Sequence, residues 1–230
     1  MTSTNRIFLA VAVLAIAALS CQAVTDLGGG ISTGVPSTNV PQTGDVLLDD
    51  DFSSPNWGTG TDADSSVEYA NGALQMIINT NNWFVWSTPN DQDYEDIHME
   101  VTVINNDTDP TTAFGIMCNQ QVVDDSFYYF AITPAGQYAI AEASLAANDI
   151  FLTNDDQWEY SDFIAENADS YRIGADCSNG RLTLYVDGQQ VDSVADDTYT
   201  SGGVALFAWS GEEVSSANVS FDDFLMTDLP

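Results

Sequence analysis

Lysine is missing from all 230 residues, and histidine occurs once, as His98. The three cations are arginines, Arg6, Arg172 and Arg181, set against 35 Asp and Glu for a formal net charge of −32. A chain this acidic repels nucleic acid and anionic lipid surfaces, so neither is expected as a partner. The shortage of His and Lys also removes the usual players of nucleophilic and general-base schemes. No Ser-His-Asp arrangement, phosphate loop or dinucleotide fingerprint is present. Helical periodicity is absent too, since no segment of ten or more residues keeps a 3.6-residue repeat. Self-repulsion of this size must be screened, and a saline, acidic or calcium-rich setting would each do so.

Long apolar runs are confined to Ile7–Ser20, IFLAVAVLAIAALS, which follows a short polar segment carrying Arg6. The run is too short for a comfortable membrane span and reads as a secretory signal peptide over residues 1–20. Its end, Ala18-Leu19-Ser20-Cys21, resembles the bacterial lipoprotein signal, which implies cleavage before Cys21 and lipidation of its thiol. The expected location is therefore extracytoplasmic, anchored to a membrane through the lipid on Cys21. Residues 21–45 are rich in Gly, Ser, Thr and Pro and read as a flexible tether.

Cysteine is scarce, at three. With Cys21 assigned to the anchor, Cys118 and Cys177 remain, and in an exported chain an even remainder reads as one disulfide. It would close a loop of about sixty residues and stabilise by about 3–4 kcal/mol through loop-closure entropy. Two buried thiols are the alternative. Neither cysteine has a Cys or His at zinc-ligand spacing.

Residues 46–230 form one texture: apolar and aromatic residues alternate with polar ones in runs of five to ten, punctuated by turn dipeptides. Asn71-Gly72, Asn179-Gly180 and Asp187-Gly188 suit the positive φ angles of two-residue hairpins. Between the last two, Leu182, Leu184 and Val186 share one face, with Thr183, Tyr185 and Asp187 on the other. Strands are expected from Leu47–Phe52 through Asn218–Thr227, with a long loop over Asn154–Asn167. Many short strands at hairpin spacing argue an all-β sandwich or barrel. In the closing strand, apolar residues fall at both parities over Ser220–Met226, which predicts a strand covered on both faces.

The ordered series DDDFSSPNW at Asp49–Trp57, FGIMC at Phe114–Cys118, SFYYFAITPAGQYAI at Ser126–Ile140, the Tyr171–Trp209 meander and VSFDDF at Val219–Phe224 resembles the concanavalin A-like jelly-roll domains of bacterial surface lipoproteins. These are relatives of laminin-G-like modules and of 3-keto-disaccharide hydrolase-type domains. The resemblance implies a two-sheet antiparallel sandwich whose first and last strands lie side by side. It also implies that Cys118 and Cys177 sit on neighbouring strands.

Three constellations are candidates for function. Asp96, His98 and Glu100 alternate as i, i+2, i+4, which would put them on one strand face. Jelly-roll glucanases place Glu, Asp and Glu at this spacing, so Asp96 and Glu100 are the candidate catalytic pair. Here, however, the middle position is histidine. Asp49 and Asp51 would be brought towards Asp222 and Asp223 by pairing of the first and last strands, making these four the candidate ligands of a structural calcium. Trp83, Trp86, Tyr129 and Trp209 are the candidate sugar-stacking residues, with Tyr128, Tyr138, Trp158 and Tyr160 completing the aromatic pool. The expected function is glycan binding or adhesion without catalysis. Glycoside hydrolysis and a purely structural surface role are the alternatives.

Overall fold

The computed structural model describes residues 44–230, apart from 107–108, 124, 145–147, 156 and 214–215. Cys21 and the segment before residue 44 lie outside the described residues. Val40–Pro230 is a compact unit in which the described strands pair with one another around a core of their own.

Among the described residues there are strands and no helices. The nine-stranded sheet runs β14 (Gln189–Ala195), β13 (Arg181–Val186), β12 (Ser170–Ser178), β6 (Ile97–Asn105), β16 (Ala217–Asp228), β4 (Ala73–Ile78), β3 (Ser65–Ala70) and β2 (Gly60–Thr61). Its ninth member, β1 (Val46–Asp50), pairs with the end of β16, as expected for first and last strands. The seven-stranded sheet runs β10 (Ile150–Phe151), β9 (Gln137–Ser144), β8 (Ser126–Ile132), β7 (Ala113–Gln121), β15 (Gly203–Trp209) and β5 (Phe84–Ser87), with β11 (Glu159–Tyr160) also on β9. Every pairing is antiparallel.

The period-two alternation decides which side chains enter the space between the sheets. Ile97, Met99, Val101 and Val103 of β6 meet Tyr171, Ile173 and Ala175 of β12, and Leu182, Leu184 and Val186 of β13, in one cluster. The facing sheet supplies Phe114 and Ile116, Tyr128, Phe130 and Ile132, and Leu206. The hairpin residues have the left-handed φ that their types permit, 56° and 82° at Asn71-Gly72 and 51° and 66° at Asn179-Gly180.

Two expectations are corrected. The Cys118–Cys177 disulfide is present, but its halves sit on β7 and β12, in opposite sheets, with a Cα separation of 6.7 Å. It crosses the core rather than joining strands side by side, because both cysteines are at inward-facing positions of facing strands. The closing strand is not covered on both faces through simple alternation. A bulge between Asp222 and Leu225, with Asp223 at φ 49°, shifts the parity by one residue. Phe221, Phe224 and Met226 therefore all enter the same core.

The strands covered on both faces are instead β7, β8 and β15, most of whose residues are buried at both parities. Their outward residues Ala113, Met117, Phe127, Tyr129, Ala131, Ala205 and Phe207 make a second apolar cluster on the outside of the seven-stranded sheet.

Candidate ligand-binding cleft

That second cluster surrounds a cleft of about 380 Å³. Its construction follows from residue size. Ala113, Ala131 and Ala143 lie along its floor, where small side chains leave the sheet surface low. Gly115 stands between them on β7, opposite Ala131, and is required there. A Cβ on it would lie 1.8 Å from the Phe130 carbonyl oxygen and 3.3 Å from the Phe207 ring.

Aromatic rings from both sides of the sheet rise around this floor. On one side Phe84 stacks on Phe207 at 4.9 Å and 15° and on Phe127 at 6.0 Å and 29°. Trp209 stands at the rim with its indole Nε1–H donating to Asn82 Oδ1 at 3.3 Å. On the other side Tyr129, Phe151 and Trp158 meet edge to face. The polar groups lining the cleft include Asn82, Ser144, Asp149 and Glu212, and no cation is among its lining residues. The Tyr129 hydroxyl donates to Asp149 Oδ2 at 3.0 Å. Desolvation by the surrounding rings pushes the Asp149 carboxyl up, with the tyrosine hydrogen bond opposing. The volume and the mixture of apolar walls with a few polar groups are those of a small-molecule site.

The sequence candidates divide around this cleft. Tyr129 and Trp209 line it; Trp83 and Trp86 do not. Trp83 donates from its indole to Ser65 Oγ at 3.3 Å, while Trp86, on the edge strand β5, lines a separate depression beside Gly58–Asp62. Both remain partly open, at 39 % and 37 % exposure. Phe84, Phe127, Phe151, Phe207 and Asp149 were not among the sequence candidates. What could have found them is the asymmetry of β7, β8, β9 and β15, where Ala and Gly gather on one face while bulky residues fill the other.

The Asp96–His98–Glu100 series lies on the outer face of the other sheet, away from the cleft. The alternation reaches only His98 and Glu100, because Asp96 precedes β6 with φ 49°. Asp96 accepts hydrogen bonds from Ser178 Oγ and Asn179 N, both at 2.8 Å, so it braces the β12–β13 turn. Glu100 Oε2 is held by Arg172, at 3.3 Å from Nε and 3.1 Å from Nη2.

His98 is only 2 % exposed despite facing outward, since Tyr185 and its carboxylate neighbours cover it. Its Nδ1 lies 2.5 Å from Asp176 Oδ1 and its Nε2 lies 3.4 Å from Glu100 Oε1. The Tyr185 hydroxyl donates to Asp176 Oδ2 at 2.7 Å. Burial alone would pull the imidazole down, but the hydrogen bonds and charges of Asp176 and Glu100 outweigh it and hold the pKa at about 9. The hydrogen bond from His98 draws the Glu100 carboxyl below its usual value; burial opposes this, and the Arg172 charge adds to the lowering. Two cations and two carboxylates thus interlock across β6 and β12.

Pairing of β1 with β16, with Asp50 opposite Phe224, brings Asp51 towards Asp223 among the candidate calcium ligands. Asp49 stands opposite Leu225 on β16, and Asp222 opposite Thr102 on β6. Asp51 accepts from Ser53 N at 3.0 Å and Asp222 from Asp223 N at 2.9 Å, so both cap local turns. Asp50, between the two named aspartates, is the buried one. It accepts from Phe52 N at 2.8 Å and from Asn56 Nδ2 and Trp57 Nε1, each at 3.2 Å. Among the described residues, no group of three or more His, Cys, Asp or Glu converges to hold a metal ion.

The arrangement of sheets is that of a concanavalin A-like jelly-roll sandwich, and solved structures of this shape agree. The carbohydrate-binding module CBM66 from Bacillus subtilis matches with a TM-score of 0.57 at 15 % identity, over 75 % of this chain and 96 % of that one. A protein of unknown function with a galectin-like fold, also from Bacillus subtilis, gives 0.60 at 10 % identity, over 81 % and 97 %. The catalytic domain of an endo-1,3-β-glucanase (laminarinase) from Thermotoga petrophila gives 0.54 at 11 % identity, over 80 % and 97 %. At these identities the likeness is one of fold. No protein-family model and no curated protein matches the chain.

Proposed function

We propose that this protein is a glycan-binding module, exported and tethered through a lipid on Cys21, that holds carbohydrate in the aromatic cleft without cleaving it. The observation that carries this reading is the cleft itself: a low alanine floor between aromatic walls, with an amide and two carboxylates to orient hydroxyl groups. Flat rings match the apolar faces of sugar rings, and the carboxylates accept from sugar hydroxyls. Solved structures of similar fold include a carbohydrate-binding module and a β-glucanase, which supports the choice of ligand class.

Binding is favoured over hydrolysis by where the carboxyl pair with glucanase-like spacing lies. Asp96 and Glu100 are on the sheet opposite the cleft, engaged by the β12–β13 turn and by Arg172.

A glycan array probed with the Val40–Pro230 segment, with and without calcium, tests the reading. Binding to a defined set of neutral glycans is expected. No binding under either condition contradicts it, as does release of reducing ends from a bound glycan.

A further inference from the structure

The cleft is not uniform along its length. On the β5–β15 side the rings of Phe84 and Phe207 lie nearly parallel. On the β9–β10 side they turn perpendicular: Tyr129 to Phe151 at 90° and 6.5 Å, and Phe151 to Trp158 at 87° and 5.4 Å. Perpendicular rings form a corner, offering π-faces from different directions to whatever enters it. Asp149 lies at this same corner, with Oδ2 3.0 Å from the Tyr129 hydroxyl. The Asn154 side chain, donating to Trp158 O at 3.1 Å, ties down the loop that carries Trp158.

We infer that this corner, built by Tyr129, Phe151, Trp158 and Asp149, binds a substituted ammonium cation, either free or carried on a larger ligand. Aromatic faces attract cations through the ring quadrupole, at about 0.5–2 kcal/mol for a desolvated contact, and quaternary ammonium groups are held in this way by rings set at angles to one another. The carboxylate adds the countercharge. The walls are apolar, so an organic ammonium that carries its own apolar surface enters at less cost than a metal ion. The wider field agrees: the chain carries −32, and both described arginines, Arg172 and Arg181, are on the other sheet. A cation approaching the cleft is attracted, and an anionic ligand finds no partner there. Desolvation of Asp149 fits as well, because a carboxyl whose charge is penalised by burial gains most from an incoming cation. The corner belongs to the cleft of the glycan reading, since Tyr129 also meets Phe207 at 5.5 Å, but the attraction it offers is for charge, which a neutral glycan does not use.

The test is calorimetric titration of the Val40–Pro230 segment at fixed ionic strength. The probes are choline, its neutral isostere 3,3-dimethylbutan-1-ol, and an oligomer of glucosamine with its N-acetylated counterpart. Choline is expected to bind at least about tenfold more tightly than the isostere, the ratio that about 1.4 kcal/mol of cation-specific attraction gives. Asp149→Asn should lower choline affinity several-fold, and Phe151→Ala and Trp158→Ala should abolish it while leaving the disulfide-bonded core intact by near-ultraviolet circular dichroism. A glucosamine oligomer that outbinds both choline and its own N-acetylated form assigns the cation to a glycan; choline alone assigns it to a small free ligand. Equal affinity for choline and the isostere overturns the proposal, and so does choline binding that survives Phe151→Ala, which would mark diffuse attraction to the acidic surface. Neutral-glycan binding that persists when choline fails separates the loss of this inference from the loss of the glycan reading.

Discussion

Raising the pH from 6.5 to 9 should weaken this fold through one side chain, His98. Its imidazole titrates near 6.5 in an unfolded chain and at about 9 in the folded one. A folded value above the unfolded one means that the folded state holds the proton more tightly. The resulting stability is fully present below pH 6.5 and is lost as the pH rises towards 9. At about 1.4 kcal/mol per tenfold in proton affinity, the difference amounts to about 3 kcal/mol. For a domain of this size that corresponds to a fall in melting temperature of roughly 6–12 °C.

The composition makes the assay clean. There is no other histidine and no lysine. Cys118 and Cys177 are bonded to each other. Tyr128, Tyr138, Tyr171 and Tyr185, the tyrosines buried beside carboxylates or in the core, are all pushed upward out of the window, chiefly by desolvation. Denaturant titrations of the Val40–Pro230 segment between pH 6 and 9, at one ionic strength, should therefore trace His98. His98→Gln should be less stable than the parent at pH 6, flat across the window, and close to the parent by pH 9. A parent curve flat to within about 0.5 kcal/mol, or a His98→Gln curve with the parent's slope, would refute the assignment of a clamped imidazolium among Asp176, Glu100 and Arg172.

Three further outcomes are expected. Gly115→Ala should destabilise by more than about 3 kcal/mol, measured by chemical denaturation, because its Cβ would meet the Phe130 carbonyl oxygen at 1.8 Å with no flexible group to give way. Reducing the Cys118–Cys177 disulfide, which spans 59 residues, should lower the stability of the segment by about 3–4 kcal/mol, seen as a melting shift between oxidised and reduced samples. Leu184→Ala, at a fully buried position on β13, should cost about 2–5 kcal/mol in the same denaturation assay.

Much of the fold could be read from the chain because its cues are local. Asn179-Gly180 and Asp187-Gly188 fix their own turns, and Leu182, Leu184 and Val186 declare their face by spacing alone. What escaped were features that depend on another strand. The Asp222–Asp223 bulge is one, since its parity change shows only against the register of β6, where Arg172 Nη1 holds Asp223 O at 2.5 Å. The sheet membership of Cys177 is another, since pairing by elimination says nothing of which layer each cysteine occupies. The cleft was least legible. Phe84 and Phe207 stack although more than a hundred positions separate them, and only the order β5–β15–β7–β8–β9–β10 brings them beside Tyr129 and Phe151. Size alone does not separate Trp83 and Trp86 from the cleft residues: Trp83, just before β5, bonds to Ser65 of the other sheet, and Trp86 flanks Phe84 at 6.1 Å beside a separate depression at the sheet edge.

The central claim is that the outer face of the seven-stranded sheet is where this protein meets its ligand. Its most direct test is the affinity of Trp209→Ala and Trp83→Ala variants for a neutral glycan selected on the array, measured by calorimetry beside the parent. Trp209 stands on the cleft rim, whereas Trp83 turns its indole to Ser65 on β3 of the other sheet. The expected result is a loss of tenfold or more, about 1.4 kcal/mol or greater, for Trp209→Ala with Trp83→Ala unchanged. Glycan binding that survives Trp209→Ala but falls in Trp83→Ala would contradict the account and move the site off the cleft.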